Sequence, residues 1–159
     1  MTILLKALLV FSAGSILMAA QLADKKAMTL EVAKQMAAAA EKAAAANKWT
    51  MVIAILDDGG NLVYLERMDD TQIGSIQVAQ AKARSAISFK RPTKAFEDAL
   101  VGGRTAILSL QGAVPVEGGL LIIVDGKIIG AIGASGGTSP QDGEVAKAAI
   151  DALPKILGK

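Results

Sequence analysis

The hydrophobic pattern changes period along this chain, and each change marks an element. Leu30, Ala33, Met36, Ala37 and Ala40 recur at helical spacing, which predicts a helix from Leu30 to Asn47 with Thr29 as its N-cap and Glu31 in the first turn. Trp49–Asp57 is then a near-continuous apolar run and Asn61–Arg67 an alternating one. With Asp57-Asp58-Gly59-Gly60 between them, they read as an antiparallel hairpin. Helical spacing returns from Ser75 or Ile76 to Ile87, with Val78, Ala79, Ala83 and Ala86 on the apolar side. Pro92 breaks it, and Thr93 caps a short helix through Leu100.

The last third is the densest in signals. Ala113–Glu117 reads as a short edge strand, where Pro115 is tolerated. Leu120–Val124 and Lys127–Ala134 flank Asp125-Gly126, a dipeptide suited to two-residue hairpins because both positions take positive φ. Ser135-Gly136-Gly137-Thr138 leads into a final helix with Ser139 as N-cap and Pro140 at its first position. Helices before, between and after the strands must cover both faces of such an apolar sheet. The order therefore predicts an α/β chain of the α+β type: a three-layer α/β/α sandwich around a five-stranded antiparallel sheet.

Residues 1–20 follow a different rule. Lys6 precedes a 12-residue apolar stretch, Ala7–Met18, that ends at Ala19-Ala20, the pattern of a secretory signal peptide cleaved after Ala20. The stretch is shorter than the roughly 20 apolar residues of a membrane span. The sequence thus divides into a signal at 1–20 and one domain at 21–159, exported to the periplasm or secreted, with no stable membrane span after cleavage. Without Lys6 the 17 basic side chains become 16 against 15 acidic ones, a net charge of +1.

Composition narrows the chemistry. The chain is 159 residues long, 52% apolar and only 3% aromatic, so an alanine-rich core packs helices closely on the sheet and offers few stacking platforms. A formal charge of +2 without a basic run argues against nucleic acid. There is no cysteine and no histidine, which removes thiol catalysis, the usual Cys/His zinc sites and imidazole chemistry. Gly130, Gly133, Gly136 and Gly137 match neither G-x-G-x-x-G nor a P-loop. Two roles stand open for them: close packing and a tight turn, or a ligand-binding turn at Ser135–Thr138 whose bare amides hold an anion. For Lys82 and Arg84, a solvated helix face and the rim of a ligand pocket are both open readings. Asp142, in the first turn of the last helix, reads as a dipole-favoured capping residue. No nucleophile, base or paired-carboxylate site can be assigned, so the residues leave enzymatic activity open and lean against it.

Leu62–Ala86 (LVYLERMDDTQIGSIQVAQAKARSA), Phe89–Leu100 (FKRPTKAFEDAL) and Val114–Leu153, with VPVEGG, IIVDGKIIGAIGASGG and SPQDGEVAKAAIDAL, closely resemble the GlcG/HbpS haem-binding family, of the PduO C-terminal-like type. The resemblance implies a profilin-like α/β/α fold, homo-oligomers that are often octamers, and haem as ligand, with a link to haem degradation in exported members. Since no histidine is present to ligate iron, Tyr64 and Met68 become the axial candidates. Lys82 and Arg84 are then candidates for the propionates, and Ser135, Gly136, Gly137 and Thr138 for anion contact. The competing reading is a non-haem accessory protein that binds a small organic acid at Gly136-Gly137 or serves as an assembly unit.

Overall fold

The computed structural model describes residues 20–159. The signal peptide predicted over residues 1–20 lies outside the described residues apart from Ala20. Among the described residues no helix is long and apolar enough to cross a membrane.

Among the described residues, four helices and four strands follow in the order α1 (Leu30–Ala46), β1 (Val52–Asp57), β2 (Leu62–Arg67), α2 (Gly74–Phe89), α3 (Lys94–Val101), β3 (Gly119–Val124), β4 (Lys127–Ser135) and α4 (Ser139–Ile156), with a 3-10 turn at Thr105–Ser109. The sheet is antiparallel throughout, in the order β2-β1-β4-β3. β1 and β4 are its central strands, which is why both are almost wholly apolar and buried. Successive side chains of β1 take opposite sides. Ile53 and Ile55 join Met36, Ala40, Val145 and Ala149 of α1 and α4 in one cluster. Val52 and Ala54 pack with Ala79, and Leu56 with Ala83 and Ala86, all on α2.

The expected fifth strand is absent. The Ala113 amide donates to the Leu110 carbonyl, and those of Val114, Glu117 and Gly119 are claimed by side chains rather than by a ladder. Ser85 Oγ accepts from the Val114 amide at 3.0 Å, Glu97 from the Glu117 amide, and Thr93 Oγ1 from the Gly119 amide at 2.9 Å. These satisfied donors hold the segment against α2 and α3 without strand pairing. Thr93 therefore serves β3 and makes no side-chain cap for α3.

Other expectations need smaller corrections. Leu30 and Val78, placed on the inward stripes, are exposed, and Ala44 extends the buried face of α1 instead. The last helix is capped one residue earlier than expected: Thr138 is its N-cap, and Gln141 Oε1 accepts from the Thr138 amide at 2.9 Å. Gly133 has the close-packing role expected of it, since a Cβ there would lie 2.0 Å from the Ala79 carbonyl of α2. At Gly130 the close neighbour is the carbonyl of Leu56 in β1, not a helix.

Candidate functional site

The candidate residues from the sequence, other than Arg84 and Tyr64, converge on one end of the sheet. Val52 at the start of β1 pairs with Arg67 at the end of β2 and with Ser135 at the end of β4. The turn that follows β4 rests on Thr50 and Met51. A Cβ at Gly136 would stand 2.1 Å from the Thr50 carbonyl, so glycine is required there for close approach. On its other side Met51 accepts from the Met68 amide at 2.9 Å and from Thr71 Oγ1 at 3.3 Å. Two polar clusters result, one behind this turn and one beside Met68.

The first cluster is sealed. Lys82 was expected to project from its helix, toward either solvent or a ligand. Instead it is buried, with Nζ 2.6 Å from Asp142 Oδ2 and 3.2 Å from the Ala134 carbonyl. Its side chain is 1% exposed and that of Asp142 is 4% exposed. Residues 118 and 119 must be glycine here, because Cβ atoms would meet Lys82 Nζ at 2.9 Å and the Lys82 carbonyl at 2.4 Å. Asp142 Oδ1 in turn accepts from the Gly137 amide at 2.9 Å. Burial pushes the Asp142 carboxyl above its ordinary value, opposed by Lys82 and by the amides of Gly137 and Gly136. Asp142, read as a dipole-favoured cap, is thus the counter-ion of a buried ammonium. The sequence signal that could have found the pair is weak: a lysine at i amid alanines at i−3, i+1 and i+4 of an inward-facing stripe.

The same contacts correct the anion reading of Ser135–Thr138. Gly137 and Thr138 donate their amides to Asp142 and Gln141, the Gly136 carbonyl accepts from Gln72 at 3.2 Å, and Ser135 Oγ donates to Ser75 Oγ at 3.1 Å inside the protein. The turn is not a nest of bare donors, because α4 folds its own first-turn side chains back onto it.

The second cluster is open. A groove of about 510 Å³ is lined by Glu41 of α1, Thr50, Glu66 and Arg67 of β2, and Met68, Asp69 and Asp70 beyond it. Its size falls in the range of small-molecule sites. Met68 is half-buried, packed on the large apolar cluster with Tyr64. Tyr64 donates its hydroxyl to Glu66 Oε2 at 2.9 Å, which raises the phenol above its usual value of 10.0. Glu66 Oε1 is buried and has no hydrogen-bond partner among the described residues. An acceptor left in that state costs about 1–3 kcal/mol unless a ligand or water supplies a donor or a cation. Sequence reading missed Glu66, although its place on an alternating strand, two residues from Tyr64 and from Met68, puts all three on one face. Arg84 stands apart: it is exposed and donates to the Gly60 carbonyl at 3.4 Å, at the β1–β2 turn. Among the described residues no group of three acidic side chains is placed to hold a metal ion. At the Asp57-Asp58 turn, Asp57 Oδ1 accepts from the amides of Gly59 and Asn61, as a turn residue does.

Residues 28–151 match a family described as haem degrading protein HbpS-like. The chain belongs to the HbpS-like family. It is 42% identical over 111 residues to protein GlcG of Escherichia coli K12, an alignment covering 70% of this chain and 83% of GlcG. Among solved structures it is similar to Klebsiella pneumoniae protein ORFY, with a TM-score of 0.79, 33% identity, and 86% of this chain and 97% of that one covered. It is also similar to PduOC in its haem complex, with a TM-score of 0.73, 31% identity, and 80% and 95% covered. The two solved structures share the mixed fold, and that of PduOC is a complex with haem.

Proposed function

We propose that this chain is an exported, homo-oligomeric haem-binding protein whose ligand sits at the Glu66–Met68 groove. The observation that carries the reading is the similarity to PduOC in complex with haem over 80% of the chain. Within the groove, whose lining otherwise carries the acidic Glu41, Asp69 and Asp70, two residues offer iron ligands. Met68 offers a soft thioether, and the buried Glu66 Oε1 is an anionic oxygen without a partner, while no histidine exists to compete. Tyr64 acts in this arrangement through Glu66, since its hydroxyl is already donated. Arg67 is the cation in the groove wall available to a propionate; Lys82, neutralised by Asp142, is not. Haem, when bound, supplies a redox-active iron whose chemistry is the cofactor's own.

The export reading is supported by the charged and apolar pattern of residues 1–20. The three-layer α/β/α reading is supported by the two sets of β1 side chains, one with α1 and α4 and the other with α2. Titration of the purified protein with haemin tests the ligand. A shifted Soret band with stoichiometric retention on a sizing column is expected; free haemin throughout would overturn the reading.

A second reading, an assembly unit without haem, is favoured by the missing histidine. Thermal-shift titration with haemin separates the two, because a true ligand raises the melting temperature with concentration, whereas an assembly unit without haem shows no such rise.

A further inference from the structure

The two edges of the sheet are built differently. β2, at one edge, ends in Glu66-Arg67 and runs on into Asp69-Asp70, charges that discourage another strand from pairing there. β3, at the other edge, carries no charged residue from Gly118 to Val124. Alternate residues of an antiparallel strand turn their backbone groups to the same neighbour. The Ala134 amide donates to Gly118, so Gly118, Leu120 and Ile122 face β4, while Gly119, Leu121 and Ile123 face outward. Gly119 is satisfied there by Thr93, in both directions. Beyond it, Leu121 and Ile123 meet no further strand among the described residues, and Ile123 is 49% exposed.

We infer that β3 pairs antiparallel with β3 of a second copy of this chain, about a twofold axis at Ile122, joining two four-stranded sheets into one. The inference rests on the homo-oligomer reading and names its surface. Leu121 of one copy faces Ile123 of the other, and each such pair exchanges two backbone hydrogen bonds. The charges at the two ends of the strand select this occupant. At the Gly119 end, Glu97, Asp98 and Glu117 gather around Lys94, with Arg91 held over the Phe96 ring 5.6 Å away. At the other end, Lys26, Lys127 and Lys159 gather around Asp125. Antiparallel self-pairing brings the acidic end of each copy to the basic end of the other, whereas parallel pairing sets like against like.

Light scattering on the eluted protein tests the pairing. Ile123→Lys places a charge on the outward edge and is expected to roughly halve the assembly mass at equal concentration. An Ile123→Lys protein that elutes with the wild-type mass overturns the edge pairing alone. A wild-type chain that stays monomeric at every concentration overturns the homo-oligomer reading with it. Should Ile123→Lys fail to fold by circular dichroism, a Leu121→Cys/Ile123→Cys variant decides, since the chain has no cysteine of its own. Facing residues of this kind lie about 5.5 Å apart between Cα atoms, within disulfide reach. Mild oxidation is expected to give a covalent dimer on a non-reducing gel, and a monomer band alone overturns the proposal.

Discussion

Lys82 and Glu66 each bring a charge to the same end of the sheet, on opposite sides of the Thr50–Met51 segment, and the protein treats them differently. Around Lys82 every polar atom described above has a partner: Asp142, the Ala134 carbonyl and the amide of Gly137 close a loop from which solvent is excluded. Around Glu66 one carboxylate oxygen is left unpaired beside an open groove. A satisfied buried network specifies one packing arrangement. An unsatisfied acceptor beside a groove is where a ligand has something to gain. The sealed cluster is thus the structural one, and the strand end beside the open groove is the candidate site.

Breaking the sealed cluster gives the largest expected effect. Lys82→Ala leaves the Asp142 carboxylate buried without its counter-ion and is expected to cost about 3–5 kcal/mol in urea unfolding. Lys82→Met with Asp142→Leu removes both charges and is expected to recover most of that loss, leaving haemin affinity per folded molecule unchanged. A double variant as unstable as the single one would show that the glycine packing, rather than charge, holds this region.

The open cluster should respond in the other currency. Met68→Ala is expected to weaken haemin binding about tenfold or more, roughly 1.4 kcal/mol, read by Soret titration, with a smaller change in melting temperature because the side chain is only half-buried. Equal affinity in Met68→Ala and wild type would move the ligand away from this groove.

Acid titration sharpens the contrast between buried and exposed carboxylates. Asp125, hydrogen-bonded by Lys159 and Lys26, is held at about 2 against an ordinary 3.8. Its contribution is complete above 3.8 and is lost as pH falls through about 2. Asp142 has the opposite sign: its folded pKa lies above 3.8, so its own contribution grows as pH falls through that folded value toward 3.8. Asp125→Asn should therefore flatten the acid loss of stability seen in urea curves, and Asp142→Asn should remove the opposing rise.

The smallest expected effect is spectroscopic. The chain has one tyrosine, so tyrosinate absorbance reports Tyr64 alone. Glu66→Gln weakens the hydrogen bond that chiefly raises the phenol and removes the Glu66 charge beside it, and should move its titration down toward 10.0. An unmoved titration would show that Glu66 and Tyr64 are not coupled in solution.

Much of the fold was legible because local chemistry and tertiary structure agree. The hydrophobic periods placed α1, both hairpins and α4 to within a few residues, and the Asp125-Gly126 turn has positive φ at both positions, as the dipeptide requires. The four-strand count was not legible. Whether the amides of Val114, Glu117 and Gly119 meet a strand or meet Ser85, Glu97 and Thr93 depends on side chains 20 to 29 residues away along the chain. The site was half legible: Met68 and Tyr64 fall on or beside the groove, whereas Lys82 and the Ser135–Thr138 turn close on themselves.

The sequence by itself determined the element types, the absence of imidazole and thiol chemistry, and the family resemblance, because periodicity, turn dipeptides and composition are local or additive properties. Only the tertiary structure decided which charges are used up and which remain available. A lysine on a helix stripe and a glutamate on an alternating strand look alike in sequence. Their fates are set by whether the fold brings a counter-charge within hydrogen-bond distance, and for Lys82 that partner is 60 residues further along the chain.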